Sequence, residues 1–228
     1  MSAQDKDAPE LFTRYGERSP FAEAYRGLRI SLFHGNGGSL RSLGITGAGP
    51  RHGSSTTAAN LALIMGETGK RVILVDADLY KPSLHRFFGL PNAVGLSSVL
   101  GGQARLGDAL QTVTPPASLR LLAAGPAVRN PAALLRPEAV EALLGSLQGE
   151  TDLVIVDLPS VGAVAYTAQL GPILDGLLLV LRAGTSSPDV DRLVRRRLKG
   201  TNVVGLVLNR VPLHGSDASS YRYYAELK

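Results

Sequence analysis

The chain has 228 residues, of which 44% are hydrophobic and 19% charged, the composition of a folded protein rather than of a disordered chain. This length supports one α/β domain with a full core, and a second domain of ordinary size is not expected. The absence of cysteine excludes disulfides and thiolate metal sites, and no apolar run approaches the roughly 20 residues of a membrane-spanning helix. We therefore expect a cytoplasmic protein.

The formal net charge is +5, and part of the excess lies in one basic run. The run contains Arg192, Arg195, Arg196, Arg197 and Lys199. Its favoured interpretation is a solvated helix face, and attraction to an anionic membrane surface or an acidic partner tail is the alternative. Because no aromatic residues alternate with these charges, no nucleic-acid partner is expected.

Residues 1–18 are polar, and we expect them to form a flexible N-terminal tail. Ser19 and Pro20 then have the pattern of a helix start, with serine as the N-cap and proline at the first helical position. Apolar residues follow at helical spacing, which predicts a helix with one apolar face over 19–35. A glycine-rich break follows this helix at 34–39.

Segments with the patterns of strands and helices alternate through the rest of the chain. The apolar strand segments are 43–46, 72–75, 119–123, 153–156, 177–181 and 203–208, and helical segments include 54–68, 137–147 and 189–198. This alternation predicts an α/β fold with a mostly parallel central sheet and helices on both faces. We expect a single domain over 19–215, followed by a tyrosine-containing tail over 216–228.

The loop 47–53 joins a predicted strand to the predicted helix that begins at Ser54. Backbone N–H groups and the helix dipole favour a phosphate at such a position. A complete P-loop reads G-x-x-x-x-G-K-[ST]. Gly53 and Ser55 match it, whereas Ala48 replaces its first glycine and Ser54 its lysine. The match by itself favours an ordinary strand-to-helix turn without a ligand.

Three aspartates strengthen the interpretation of a phosphate site. Asp76 and Asp78 follow one predicted strand and Asp157 ends another. Because parallel strands end at the same edge of a sheet, we expect these carboxylates to face the loop. Together with the hydroxyl of Ser55 they are suitable ligands for Mg²⁺, directly or through water. The alternative for each aspartate is a helix N-cap. We predict Ser55, Asp76 and Asp157 as metal ligands and, in an active enzyme, Asp76 and Asp78 as catalytic residues.

Five segments resemble the bacterial tyrosine kinases (BY-kinases) of polysaccharide export. They are 19–29 (SPFAEAYRGLR), 54–61 (SSTTAANL), 75–86 (VDADLYKPSLHR), 89–97 (GLPNAVGLS) and 130–135 (NPAALL). The resemblance implies a cytoplasmic module with a fold of the P-loop NTPase type, which binds ATP or ADP with Mg²⁺. It also implies a partner, the cytoplasmic segment of a membrane-embedded polysaccharide chain-length adaptor, which would hold the protein at the inner face of the membrane.

The resemblance also assigns roles to individual residues. The nucleotide-binding residues it implies are Gly49, Arg51, Gly53, Ser54, Ser55, Thr56 and Asn209, the last of these at the adenine. An oligomerisation motif that packs subunits into a ring is implied at Glu23, Arg26 and Arg29, for which an intrahelical ion pair is the alternative. The autophosphorylated tyrosines of the tail correspond to Tyr221, Tyr223 and Tyr224.

The departures from the family pattern cluster at the predicted site of phosphate binding and phosphoryl transfer. Ser54 stands in place of the lysine that reaches the phosphates, and 158–160 (LPS) replaces Thr-Pro-Pro. Tyr80 replaces an arginine and Tyr166 an aspartate. Phosphoryl transfer depends on positioning and on neutralising negative charge, so these changes predict a pseudo-kinase. Arg51 either offers a substitute charge or crowds the phosphate path.

Two other functions stay open at this point. One is an active ATP-dependent tyrosine autokinase that phosphorylates its own tail. The other is a membrane-associated positioning ATPase; those ATPases carry a lysine early in the loop, where this chain has Gly49, and the tyrosine tail also argues against them.

Overall fold

A seven-stranded sheet runs through the computed structural model, which describes residues 11–16, 19–35 and 40–212. The strands are β1 (Ser42–Gly47), β2 (Val72–Asp76), β3 (Leu110–Thr112), β4 (Leu119–Leu122), β5 (Leu153–Asp157), β6 (Gly176–Arg182) and β7 (Val203–Asn209). Their spatial order is β3-β4-β2-β5-β1-β6-β7, and all neighbouring pairs are parallel except β3 and β4. The predicted α/β fold with a mostly parallel sheet is confirmed.

Helices lie on both faces of the sheet. They are α1 (Pro20–Gly35), α2 (Ser54–Glu67), α3 (Leu84–Phe87), α4 (Leu96–Leu100), α5 (Leu106–Ala109), α6 (Pro131–Leu134), α7 (Pro137–Gln148), α8 (Ala165–Leu170) and α9 (Ser187–Arg197). The one-turn helices and the short strand β3 were not predicted, because three to six residues are too few to show a period. Within the described ranges, no helix has the length and apolar character needed to cross a membrane.

Two apolar cores, one on each face, hold the sheet. Strands β1, β2 and β5 are buried at every position, which explains their uninterrupted apolar sequence. Helices α1 and α2 supply one core, in which Leu61 and Ile64 are almost completely buried. Helices α7 and α8 belong to the other core, through residues such as Leu147 and Leu170. Helices therefore cover both faces of the sheet, and the ends of its strands are left as the positions for a ligand site.

The N-terminal segment differs from the predicted flexible tail over residues 11 to 16. A short 3-10 helix spans Phe12–Arg14, and the Phe12 ring is completely buried against α1 and α2. The backbone N–H of Phe12 donates to Asn60 Oδ1 at 2.7 Å. The segment is ordered because it buries an aromatic ring and satisfies a backbone donor. Residues 1–10, 17 and 18 lie outside the described part.

Candidate functional site

The loop between β1 and α2 has the bent backbone of a phosphate-binding loop. Gly53 has a φ of +97° and Arg51 a φ of +62°, both in the left-handed region. Helix α2 begins directly after the loop, with the N–H of Thr57 donating to the carbonyl oxygen of Gly53 at 2.9 Å. The N-terminus of α2 and the preceding amides therefore offer the setting in which proteins bind phosphate.

Two side chains brace this loop against the neighbouring strand ends. Asn209, at the end of β7, donates from Nδ2 to the carbonyl oxygen of His52 at 2.9 Å, and its Oδ1 accepts from the N–H of Arg210 at 2.9 Å. His52 Nδ1 in turn accepts from the N–H of Arg182 at 3.3 Å. A Cβ on Gly53 would lie only 2.1 Å from Asn209 Nδ2, so glycine permits this approach. The structure thus gives Asn209 a bracing contact, and its contact with adenine stays a prediction.

A cleft of about 460 Å³ opens above the loop. It is lined by residues 49–51 and 53–56, by Asp78, Tyr80, Lys81, Ser83 and Phe87, and by Pro159, Ser160, Ala163, Val164 and Arg210. Its volume lies in the usual range for small-molecule sites. Six of the seven predicted nucleotide-binding residues line it, namely Gly49, Arg51, Gly53, Ser54, Ser55 and Thr56. The seventh, Asn209, lies immediately behind it.

Three basic side chains border the cleft, although the loop lacks its lysine. They are Arg51 in the loop, Lys81 after β2 and Arg210 after β7. None forms an ion pair with another residue of the described ranges. Sequence reasoning identified Arg51 but missed Lys81 and Arg210. The signal that was available for Arg210 is its place directly after the last predicted strand, at the edge where ligands bind.

Asp76 is fully buried at the end of β2, and its carboxylate is already engaged. Oδ2 accepts from the N–H groups of Ser83 and Leu84, both at 3.0 Å, and Oδ1 accepts from the N–H of Asp78 at 3.3 Å. Burial raises the pKa of Asp76 to about 6, against the opposing effect of these hydrogen bonds. Asp76 therefore organises the turn between β2 and α3, a role close to the N-cap alternative.

Asp157 is the register partner of Asp76 on the adjacent strand β5, and it is also fully buried. Neither of its carboxylate oxygens has a hydrogen-bond partner within the described part of the chain. Burial, and then the charge of Asp76, raise the pKa of Asp157 well above its ordinary value, while the nearby Ser55 hydroxyl opposes the shift. A buried, unpaired carboxylate next to a phosphate loop fits a site for a hydrated Mg²⁺.

The two tyrosines that replace charged residues of the family pattern contact each other. The rings of Tyr80 and Tyr166 stack at a centroid distance of 6.1 Å and an interplanar angle of 15°. Tyr166 is buried and donates from its hydroxyl to the carbonyl oxygen of Ala77 at 2.9 Å. Burial, followed by the charge of Asp78, raises the pKa of Tyr166, so the phenol stays protonated. An aromatic stack thus occupies positions where the family pattern has opposite charges.

The remaining predicted residues lie away from the cleft or outside the described part. On α1, Arg26 pairs with Glu23 at 2.5 Å, which is the intrahelical alternative, and Arg29 Nε is buried without a hydrogen-bond partner among the described residues. The tail tyrosines, Tyr221, Tyr223 and Tyr224, lie outside the described residues. No cluster of three or more His, Cys, Asp or Glu side chains in the described ranges forms a ready metal site.

The arginines of the basic run lie on helix α9, which contributes no buried residue, and Lys199 follows the helix. Two of its arginines pair with acidic residues of the same helix, Arg192 with Asp189 and Arg195 with Asp191. These exposed pairs contribute little to stability. The geometry agrees with the interpretation of a solvated helix face.

Comparison with known proteins agrees with this geometry. A ParA family model, described as an NUBPL iron-transfer P-loop NTPase, matches residues 47–213. Tyrosine-protein kinase YwqD of Bacillus subtilis is 36% identical over 206 residues, covering 89% of this chain and 86% of that protein. The putative tyrosine-protein kinase CapB of Staphylococcus aureus is 27% identical over 99% of this chain and its own full length.

Solved structures give the same result. The kinase domain of Escherichia coli tyrosine kinase ETK superposes with a TM-score of 0.85 at 29% identity, covering 95% of this chain and 89% of that one. The septum site-determining protein MinD of Pyrococcus horikoshii, in complex with Mg-ADP, has a TM-score of 0.64 at 24% identity over 82% of this chain and 78% of its own. The likeness to MinD shows the shared P-loop NTPase fold alone.

Proposed function

Because the chain belongs to the bacterial tyrosine-protein kinase family of capsule and extracellular polysaccharide synthesis, we propose that it is a kinase-like regulatory protein of polysaccharide export with little phosphoryl-transfer activity of its own. It acts together with the cytoplasmic segment of a membrane-embedded chain-length adaptor, which keeps it at the inner face of the membrane.

The observation that carries this proposal is the loop itself. Its backbone keeps the shape of a phosphate site, but Ser54 stands where the lysine would neutralise the β- and γ-phosphates. Removing one preorganised stabiliser of charge typically lowers a rate by ~10²–10³. Asp76 does not compensate for the lost cation, because a carboxylate adds no positive charge and three backbone N–H groups already engage it. The site is therefore better suited to holding a nucleotide than to cleaving it.

The residues of the cleft fit a nucleotide with its magnesium ion. The loop amides and the N-terminus of α2 would hold the phosphates, and Ser55 and Asp157 would hold the metal, the carboxylate through water. When bound, Mg²⁺ neutralises phosphate charge. Gly53 and Asn209 position the loop for the phosphates.

Phosphorylation of the tail tests the proposal directly. The purified protein is mixed with ATP and Mg²⁺, with and without the adaptor's cytoplasmic segment, and phosphotyrosine at residues 221 to 224 is measured by mass spectrometry. We expect little phosphorylation in either mixture, because the phosphate charge is poorly neutralised. Robust phosphorylation that disappears in Asp76→Ala contradicts the proposal and establishes an active autokinase. Phosphorylation that needs the adaptor segment establishes conditional activity.

An active autokinase is the second candidate, and one specific observation favours it. The buried carboxylate of Asp157, beside the phosphate loop, has no hydrogen-bond partner in the part of the chain that the structure describes, so it is available to a metal ion. In that case Ser55, Asp76, Asp78 and Asp157 would handle Mg²⁺ and water, and the tail tyrosines of a neighbouring subunit would accept the phosphoryl group.

We further propose that α1 packs neighbouring subunits into a ring. The motif Glu23, Arg26 and Arg29 lies on one helix, and the side chains of Glu23 and Arg26 are partly exposed. We expect Arg26→Ala combined with Arg29→Ala to lower the mass measured by analytical ultracentrifugation. The control pair Arg196→Ala with Arg197→Ala removes the same charge from α9 and leaves the mass unchanged. Equal masses for the wild type and the α1 variant contradict the ring.

A further inference from the structure

We propose that Arg210 supplies a cation that binds the phosphates of a nucleotide, replacing the binding contribution of the lysine missing at Ser54 but not its role in phosphoryl transfer. This inference deepens the proposed function and rests on it, because it takes the cleft to bind a nucleoside diphosphate or triphosphate. The cation would come from the end of the last strand, on the far side of the loop, instead of from the first turn of α2.

The position of Arg210 is the first argument. Arg210 follows β7 directly and lines the same cleft as Ser54 and Ser55. It is exposed and has no ion-pair partner in the described ranges, so its guanidinium is available to a ligand. An arginine presents several N–H donors in a planar fork, which suits the oxygens of a phosphate.

The backbone of Arg210 is the second argument. Its φ is +58°, in the left-handed region that costs a residue other than glycine about 1–2 kcal/mol. Its N–H is held by Asn209 Oδ1, while Nδ2 of the same amide binds the carbonyl oxygen of His52 in the loop. One side chain therefore fixes the phosphate loop and Arg210 relative to each other. Strain that the surroundings maintain at a cleft is typical of a binding site.

The other two cations of the cleft are less suited to this role. The Asp78 carboxylate accepts a hydrogen bond from the backbone N–H of Lys81 at 3.0 Å. The backbone of this lysine therefore lies next to a negative charge. Arg51 lies in the loop itself and has a similar φ of +62°, but no side chain in the described part bonds to its backbone. Of the three, Arg210 is the cation whose backbone N–H is held by a side chain that also bonds to the loop.

The experiment measures binding of Mg-ADP and of magnesium pyrophosphate by isothermal titration calorimetry. In Arg210→Gly the positive φ suits glycine, so the fold is kept while the cation is lost. We expect both ligands to bind at least tenfold more weakly to this variant, and Arg210→Lys to recover part of the loss. Adding Ser54→Lys to Arg210→Gly restores the affinity, because the lysine returns to the first turn of α2. In Arg192→Ala, which removes one charge from α9, binding stays within twofold of the wild type.

Several outcomes overturn the assignment. Binding that is unchanged in Arg210→Gly, or equally weakened in Arg192→Ala, contradicts a specific contact. A double variant that Ser54→Lys does not rescue shows that Arg210 does not replace the lysine. If the wild type binds neither ligand, the inference fails while the regulatory function stands, since regulation through the adaptor does not require turnover. Robust tail phosphorylation contradicts the regulatory function but does not affect the assignment of Arg210 as a phosphate-binding residue.

Discussion

Replacement of Asp157 by asparagine is expected to stabilise the protein at pH 7 in the absence of nucleotide. The gain is about 2 kcal/mol, because the amide removes a buried charge that lacks a partner. The carboxylate is fully buried next to Asp76, with neither oxygen hydrogen-bonded among the described residues. An amide of the same size avoids the cost of burying or protonating that charge. The gain is measured as the free energy of unfolding in urea. The same variant should bind magnesium nucleotide more weakly, because the metal loses a carboxylate.

The pH dependence gives this prediction a second measurement. Both Asp76 and Asp157 have a raised pKa in the folded state, about 6 for Asp76 and well above 3.8 for Asp157. The folded state therefore binds protons more tightly than the unfolded state, and stability is lost as the pH rises. The contribution of Asp76 is complete below about pH 4 and is lost through about pH 6. We expect the wild type to be less stable at pH 7 than at pH 5, and Asp157→Asn to reduce this difference.

Asp152, near the start of β5, is the matched control for Asp157. The hydrogen bond from Arg71 lowers the pKa of Asp152 to about 2, so its charge is favourable and exposed. Asp152→Asn should lower stability slightly at pH 7 and leave the pH dependence between 5 and 7 unchanged. If Asp157→Asn destabilises the protein as Asp152→Asn does, Asp157 is satisfied in the folded chain and the proposed metal site loses its main support.

Replacement of Gly53 by alanine is expected to disrupt the phosphate loop. The new Cβ would lie 2.1 Å from Asn209 Nδ2, and the residue would keep a φ of +97°. The clash breaks the hydrogen bond between Asn209 and the carbonyl oxygen of His52, while the backbone strain costs about 1–2 kcal/mol. We expect magnesium-nucleotide affinity to fall by at least tenfold and stability by about 2–3 kcal/mol. Calorimetry and urea unfolding measure the two effects.

The control for this variant is Gly69→Ala. Gly69 has a φ of +81°, but a Cβ there would meet no heavy atom within 4 Å. It therefore shares the backbone strain and lacks the clash, so the difference between the two variants measures the contact with Asn209. Gly69→Ala should lower stability by about 1–2 kcal/mol and leave nucleotide binding intact. Equal loss of binding in both variants would mean that Asn209 does not brace the loop.

Much of the fold could be predicted from local patterns. The strands β1, β2 and β5 are continuous apolar runs because both of their faces are buried, and the start of α2 follows the glycine of the loop. Antiparallel β3 and the one-turn helices could not be predicted, because their short sequences carry no period. Phe12 was assigned to a tail for a similar reason, since one buried aromatic ring in a polar stretch has no repeating pattern around it.

Some features of the candidate site could likewise be predicted from the sequence, and others could not. The loop, its missing lysine and the aspartates at strand ends could be recognised because each is a short motif. The engagement of Asp76 by the N–H groups of Ser83 and Leu84, and the stack of Tyr80 on Tyr166, could not be recognised, because each depends on how a loop folds back in three dimensions.

By itself the sequence determined the class of fold, the sheet edge at which the loop and the aspartates meet, and the absence of a lysine at position 54. These properties follow from the alternation of residues and from identities at single positions. Only the tertiary structure decided that Asn209 braces the loop, that Asp157 has no hydrogen-bond partner among the described residues, and that Arg210 borders the cleft. The physical reason is the spatial order β5-β1-β6-β7 of the parallel strands. It brings the ends of β5 and β7 close to the loop that follows β1, so residues more than 100 positions apart in the sequence meet there.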